Sequence, residues 1–151
     1  MELIEPAIHE HTFRWLIKGS GVLVGVQLGS GWCVRVAGDV ALLDSEREFV
    51  PVIPLLNVAF NDFSNFLERA SLLNPECREI ICNFPFELFL KCVFHTSYSG
   101  YWPELALDWL EEQDNCWSKY RVELAAICEC KAMPQRARQR AQRMLRAARA
   151  S

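Results

Sequence analysis

Residues 22–36 read Val-Leu-Val-Gly-Val-Gln-Leu-Gly-Ser-Gly-Trp-Cys-Val-Arg-Val, two apolar runs on either side of the turn Gly29-Ser30-Gly31. Runs rich in β-branched residues that flank a glycine turn are typical of a β-hairpin. Residues 39–43 are predicted to add a third strand. Because short apolar runs also occur in buried helices, an all-α fold is the alternative if residues 20–43 are helical.

Outside this hairpin the spacing of apolar residues predicts helices. Before it, Ile8, Trp15 and Leu16 predict a short helix that ends at Gly19. After it, helical segments are predicted over residues 54–73, over 79–94 with an interruption at Pro85, from Pro103 to 112, over 119–131 and from Pro134 onward. The prediction is one domain, residues 1–151, of the α+β class and mainly α, with a small glycine-rich N-terminal β element and a helical C-terminal half.

The charges are segregated along the chain. Its 151 residues are 51% hydrophobic and 23% charged, which is ordinary for one globular domain and excludes disordered and collagen-like chains. The formal net charge is only −3, yet from position 131 onward there are seven basic residues and no acidic one. Residues 1–130 therefore carry −10, so that an acidic body precedes a basic tail of +7.

Cysteine usage and the apolar stretches predict a cytoplasmic protein that does not enter a membrane. Seven cysteines are an odd number without the spacing of a disulfide scaffold, which favours a reducing compartment. The first residues lack the positive charge and apolar core of a signal peptide. The longest uncharged stretch, residues 19–34, has 16 residues and five glycines, too few and too flexible for a membrane-spanning helix.

The sequence predicts no metal, no cofactor and no enzyme. Motifs for acyl transfer, zinc proteolysis and phosphate binding do not occur in it. The cysteine and histidine pairs lack the spacing or the further ligands of a zinc site: Cys77 with Cys82, Cys128 with Cys130, and His9 with His11. Cys92 with His95 suggests a nucleophile and a base, and a cysteine hydrolase is therefore the third hypothesis, although an apolar segment usually buries such residues inertly.

Acidic residues line one face of the helix predicted after Pro103. Glu104, Asp108, Glu111 and Glu112 repeat at helical spacing opposite an apolar face, and Asp114 follows. We call the first four the acidic stripe. It indicates a basic partner, or else a solvated face or an intramolecular match to the arginine tail. Two tyrosines beside it, Tyr98 and Tyr101, are candidate interface residues, because aromatic side chains ringed by charge are common at protein interfaces.

Two further charged segments offer alternatives. Asp44, Glu46 and Glu48, in the loop after the strands, form a second candidate patch. The arginine-rich last helix favours a nucleic-acid-binding or regulatory module, since several arginines can neutralise phosphates. The acidic body and the absence of aromatic residues after Tyr120 argue against base stacking, so no direct nucleic-acid contact is expected.

Two stretches carry a resemblance to a known family: Ser-Gly-Tyr-Trp-Pro-Glu-Leu-Ala-Leu-Asp-Trp-Leu-Glu-Glu at 99–112 and Pro-Gln-Arg-Ala-Arg-Gln-Arg-Ala-Gln-Arg at 134–143. The last third of the chain thereby resembles bacterial immunity proteins of contact-dependent growth inhibition systems. The resemblance implies a small cytosolic protein that binds and blocks the C-terminal toxin domain of a delivered toxin. Many such toxins are basic nucleases, which an acidic body would attract.

Overall fold

A computed structural model describes residues 1–97, 99–113 and 116–150. The N-terminal part is a five-stranded antiparallel sheet whose strands lie side by side in chain order. The strands are β1 (Glu2–Glu10), β2 (Phe13–Gly19), β3 (Val22–Gln27), β4 (Gly31–Val36) and β5 (Asp39–Leu42). The hairpin and third strand predicted from residues 22–43 are confirmed, the α+β class is confirmed, and the all-α alternative is wrong.

The helix predicted before Gly19 is wrong, because residues 2–19 form β1 and β2. The two strands turn at His11, whose φ of 52° lies in the left-handed region. Aromatic and β-branched residues fit a pleated surface, and β2 pairs along its whole length with β3. A bulge between Trp15 and Ile17 buries Leu16 and Ile17 in the core. Pairing between strands therefore overrides the weak helical spacing.

Gly25 allows β2 and β3 to approach each other at that bulge. A Cβ atom at this position would lie 2.1 Å from the carbonyl oxygen of Arg14 and 2.8 Å from the Cα atom of Trp15. Both are backbone atoms that cannot rotate away. A glycine is therefore required at the centre of β3 for steric reasons rather than for a turn.

Helices make up the rest of the described chain. They are a 3₁₀ helix (Glu46–Asn57), α1 (Phe60–Leu73), a 3₁₀ turn (Pro75–Cys77), α2 (Arg78–Cys82), α3 (Phe86–Thr96), α4 (Tyr101–Glu112), a 3₁₀ turn (Trp117–Tyr120), α5 (Arg121–Glu129) and α6 (Gln135–Ala150). The single helix predicted over 54–73 is wrong in its first part, because Pro51 and Pro54 lie inside the 3₁₀ helix and α1 starts only at Phe60. Pro103 is the third residue of α4, not the first.

The core lies between the inner face of the sheet and the helices. Val24, Val26 and Val34 contribute apolar side chains from the sheet. An aromatic cluster continues it into the helices, with Phe63 packing on Trp109 at 5.5 Å between ring centroids and edge-on against Phe84 at 5.0 Å. The buried indole of Trp109 also finds a carbonyl, since its Nε1 donates to Val58 O at 2.9 Å. This packing places α4 with one face in the core and the other outside.

The last helix closes the fold on the far side of α4. α6 packs against α5 and α4 through buried small and flexible side chains, Ala137, Ala141, Met144 and Ala148. Across the described residues, the longest helix, α6, is too polar to cross a membrane, and no other helix is long and apolar enough to do so.

Candidate partner-binding surface

The acidic stripe lies on the outer side of α4, as its spacing predicts. The inner side is buried through Ala106, Leu107, Trp109 and Leu110. Asp108, Glu111 and Glu112 are exposed and Glu104 is half-buried. A helix with one apolar and one charged side takes this orientation because burial of the apolar side removes it from water.

One arginine of the basic tail reaches the stripe. Arg140 of α6 is only 6% exposed, and its Nη2 donates to Asp108 Oδ1 at 2.5 Å while its Nε donates to Glu111 Oε1 at 3.1 Å. Its Nη1 lies 3.5 Å from the backbone oxygen of Glu104. Burial by itself lowers the pKa of the guanidinium, but the hydrogen bonds to the two carboxylates outweigh burial and the pKa is raised. An intramolecular match between stripe and tail thus exists, at one residue.

The stripe keeps an excess of negative charge in spite of Arg140. Of its four carboxylates only those of Asp108 and Glu111 bind Arg140, and these paired side chains are still 55% and 42% exposed. Glu112 accepts a hydrogen bond from Asn61 Nδ2 at 3.2 Å, which adds no charge. Arg140 therefore orients two carboxylates from below while their outer oxygens remain open to solvent.

Tyr101 stands at the start of α4 with 57% of its surface exposed. Its hydroxyl donates to Asn57 Oδ1 at 2.7 Å, and its ring packs edge-on against Trp102 at 4.8 Å. These contacts hold a large aromatic side chain in one orientation on the surface. An amphipathic ring with little freedom to lose is the kind of residue that anchors protein interfaces.

A groove of about 380 Å³ runs between α4 and the start of α1. Asp108, Glu111 and Glu112 line one wall, Asn57 and Asn61 the other, and Phe60 is among the apolar residues between them. The spacing on α4 predicted the acidic wall. The sequence suggested a match to the arginine tail without singling out Arg140, and nothing in it indicated Asn57 or Asn61, because each comes from an element distant along the chain.

The other aromatic side chains near the stripe are mostly structural. Trp109 and Tyr120 are buried, and burial strongly raises the pKa of the Tyr120 hydroxyl. Trp117 Nε1 donates to Leu110 O at 2.8 Å. Two predicted site residues, Tyr98 and Asp114, lie outside the described residues.

Four of the five arginines of α6 other than Arg140 face outward, whereas Arg138 is half-buried. Arg136, Arg143, Arg146 and Arg149 are exposed, and none of them forms an ion pair with an acidic residue in the described ranges. Arg136 and Arg143 border a polar groove of about 630 Å³ that also contains Asp108 and Glu111. The tail therefore serves as a packed helix on one side and presents a basic surface on the other.

Cys92 and His95 do not form a nucleophile–base pair. Cys92 is fully buried, and burial raises the pKa of its thiol, which disfavours the thiolate. The His95 ring is held instead between two carboxylates: Nδ1 lies 2.8 Å from Glu46 Oε2 and Nε2 lies 3.2 Å from Glu123 Oε1. Glu123 is only 6% exposed. The two contacts of His95 tie α3 to α5 and to the 3₁₀ helix.

The second predicted patch does not converge on one surface. Glu46 turns toward His95, and Glu48 lies 3.8 Å from Arg47 Nε. Asp44 instead borders a groove with Glu79. Since Glu46 and Glu48 belong to the 3₁₀ helix rather than to a loop, the three side chains point in different directions.

Within the ranges 1–97, 99–113 and 116–150, no group of three or more His, Cys, Asp or Glu side chains is placed to hold a metal ion. Comparison with family models, with curated proteins and with solved structures found no match to the chain.

Proposed function

We propose that the protein is an immunity protein that binds the C-terminal toxin domain of a contact-dependent growth inhibition system, one to one, and blocks its active site or substrate surface. The toxin domain in this proposal is a basic protein, with a nuclease as the preferred class. The acidic stripe and Tyr101 form the contact surface.

A single observation carries the proposal: a fixed, exposed tyrosine lies beside a helix face with four carboxylates, of which two bind one buried guanidinium. An aromatic anchor within a charged rim is the usual composition of a tight protein interface. Like charges four residues apart are mildly unfavourable for the helix itself, so the excess charge serves no purpose in folding.

Arg140 makes this surface more suitable for a basic partner. By binding Asp108 and Glu111 from the core side, it holds both carboxylates in place without covering their outer oxygens. Side chains that are already ordered lose less entropy on binding. The remaining negative charge speeds the approach of a basic protein, to about 10⁸ M⁻¹s⁻¹ or faster at low salt.

The test uses the C-terminal domain encoded by the gene immediately upstream, which the proposal predicts to be a toxin. Co-expression with the chain should restore growth, and calorimetry should give one-to-one binding that weakens as salt rises. The double variant Glu104→Lys/Glu112→Lys should bind at least tenfold more weakly and show a smaller salt dependence.

Glu68→Lys/Glu129→Lys is the matched control, because both residues are exposed and the change in net charge is the same. It should leave the affinity within about twofold. If both double variants lose the same affinity for the toxin domain, the stripe is not part of the interface. Absence of growth rescue by the unaltered chain would refute the immunity function itself.

A second candidate, binding of nucleic acid through α6, is favoured by the four outward arginines without acidic partners among the described residues. Four phosphate contacts predict a slope of about −3.6 for log affinity against log salt with duplex DNA. Removal of residues 134–151 would not test this, because Ala137, Ala141 and Met144 are core residues. Replacement of the four arginines by glutamine does: unchanged binding would exclude α6 as the site.

A further inference from the structure

The two edges of the sheet differ in how they are protected. β1 carries Pro6, which has no N–H to donate, and its pairing with β2 shifts register between Leu3 and Ile8. Arg69 of α1 also binds Glu5 of this strand, with Nε 3.0 Å from Oε1. A bulge, a proline and a bound charge together prevent another strand from adding to β1.

β5 has none of these protections. Its four residues, Asp-Val-Ala-Leu, contain no proline and no lysine, and they pair with β4 in unbroken register. Val40 and Leu42 are each 39% exposed. An open edge in unbroken register exposes unpaired backbone groups to which another strand can add, and natural proteins usually guard such edges.

The direction of the free backbone groups follows from the pairing with β4. Leu43 N donates to Trp32 O at 2.8 Å, so these residues form a hydrogen-bonded pair. Hydrogen-bonded and non-bonded pairs alternate along antiparallel strands, which makes Ala41 and Val34 the next bonded pair. The N–H and C=O groups of Val40 and Leu42 therefore point away from the sheet, toward the open edge.

A groove of about 450 Å³ adjoins this edge. Its floor includes Trp32, Ile80 and Pro85, and Leu42 connects it to β5. Trp32 Nε1 donates to Ile80 O at 2.8 Å, so the sheet and the α2 region are joined across the floor. The groove is thus an apolar surface held by a contact within the protein, next to unpaired backbone groups.

Two carboxylates stand at the mouth of the groove, Asp44 and Glu79. Both residues are exposed, and no basic side chain that the structure describes forms an ion pair with either of them. No basic residue lines the groove. A strand that adds to β5 would therefore gain most by placing a lysine or arginine here.

We infer that β5 and this groove are a docking site for an extended segment of a partner protein, which adds as a sixth strand and places a basic side chain between Asp44 and Glu79. Main-chain hydrogen bonds to Val40 and Leu42 supply affinity, and the groove selects the side chain. This inference does not rest on the immunity function, since it concerns a different surface from the acidic stripe.

A second copy of this chain is a poorer occupant. Antiparallel pairing of two β5 strands brings the beginning of one strand beside the end of the other. Asp39 of one copy would then approach the acidic mouth of the other groove, where Asp44 and Glu79 already lack basic partners. Like charges that face each other across strands are destabilising.

The experiment titrates ¹⁵N-labelled protein with the peptide Thr-Val-Lys-Val-Thr, capped at both ends, and with its Lys→Glu analogue. The lysine peptide should give saturable shifts at residues 40–44 and 79–83 with a Kd at or below about 1 mM. The glutamate peptide should bind at least tenfold more weakly. Shifts centred elsewhere, or equal binding of both peptides, would overturn the inference.

Two variants separate the backbone from the charge. Val40→Pro removes an outward N–H at an edge position where proline is tolerated. Asp44→Lys/Glu79→Lys reverses the charge at the mouth of the groove, and both of these residues are exposed. Each of these variants should bind the lysine peptide at least tenfold more weakly, whereas Glu68→Lys/Glu129→Lys should bind it as the unaltered protein does. Unchanged binding by both would refute the site. If sedimentation shows a dimer and the Val40→Pro variant is a monomer, the edge pairs with a second copy of the chain. That result would overturn the inference of a basic partner.

Discussion

α4 and α6 carry opposite charges and pack against each other, yet a single side chain joins their charged faces. On α4, two carboxylates bind Arg140 and a third binds Asn61. On α6, four of the other five arginines remain at the surface. Opposite charge on neighbouring helices therefore does not by itself produce ion pairs, because the paired group must also lie within the buried face.

The geometry of α6 explains this difference. Three of its six buried residues are alanines, so the helix approaches α4 and α5 closely and turns most of its circumference outward. Arg140 lies within the buried arc and its stem is covered, whereas Arg143 lies outside it. α4, by contrast, is anchored by large side chains such as Leu107 and Trp109.

The largest effect should come from the apolar anchor of α4. Leu110→Ala deletes a fully buried side chain and should lower the free energy of unfolding by about 2–5 kcal/mol. Leu72→Ala is the control, because Leu72 is 64% exposed. This substitution should lower the free energy of unfolding by well under about 1 kcal/mol. Urea denaturation measures both. Similar losses would mean that α4 is not held by its apolar face.

A smaller effect is expected from the one shared ion pair. Arg140→Met keeps the covered stem but removes the charge, and should cost about 1–2 kcal/mol, less than a fully buried pair because both carboxylates are partly exposed. Arg143→Met, three residues on and exposed, should stay within about 0.5 kcal/mol. If the two variants were equally stable, Arg140 would be one more surface arginine.

The smallest effect should come from an arginine–carboxylate pair at the surface of the sheet. Arg35 binds Glu10 with Nη1 at 3.1 Å from Oε2, and its guanidinium lies 4.6 Å from the Trp15 ring centroid. The hydrogen bond from Arg35 lowers the pKa of Glu10. The charged carboxylate is thus favoured in the folded state, and this contribution is present above the unfolded pKa of about 4.3 and is lost as pH falls through the lower folded value.

Glu10→Gln removes this titration. Its melting temperature should lie slightly below that of the unaltered protein at pH 7, and the gap should close as the pH falls below about 4.3. Thermal unfolding followed by circular dichroism across that range measures the gap. A gap that widens toward acid would reverse the assigned direction of the Glu10 shift.

Several features of the fold could be predicted from local patterns. The glycine turn at residues 29–31 sets the β3–β4 hairpin. The helical spacing of apolar and acidic residues sets which side of α4 faces outward. The start of the chain could not be predicted this way. The residues of β1 and β2 form strands because β1 pairs with β2 and β2 pairs with β3. A pattern within one segment does not record its partner.

The sequence by itself determined the segregation of charge, the amphipathic faces of the helices and the hairpin, because each depends on residues close together along the chain. Only the tertiary structure decided which arginine meets the acidic stripe, how Asn57 fixes Tyr101, and which sheet edge stays open beside Asp44 and Glu79. These contacts join residues that are between 32 and 44 positions apart in the measured pairs, so they depend on how separate elements pack. Packing is set by the combined burial of all elements, which no single stretch of sequence encodes.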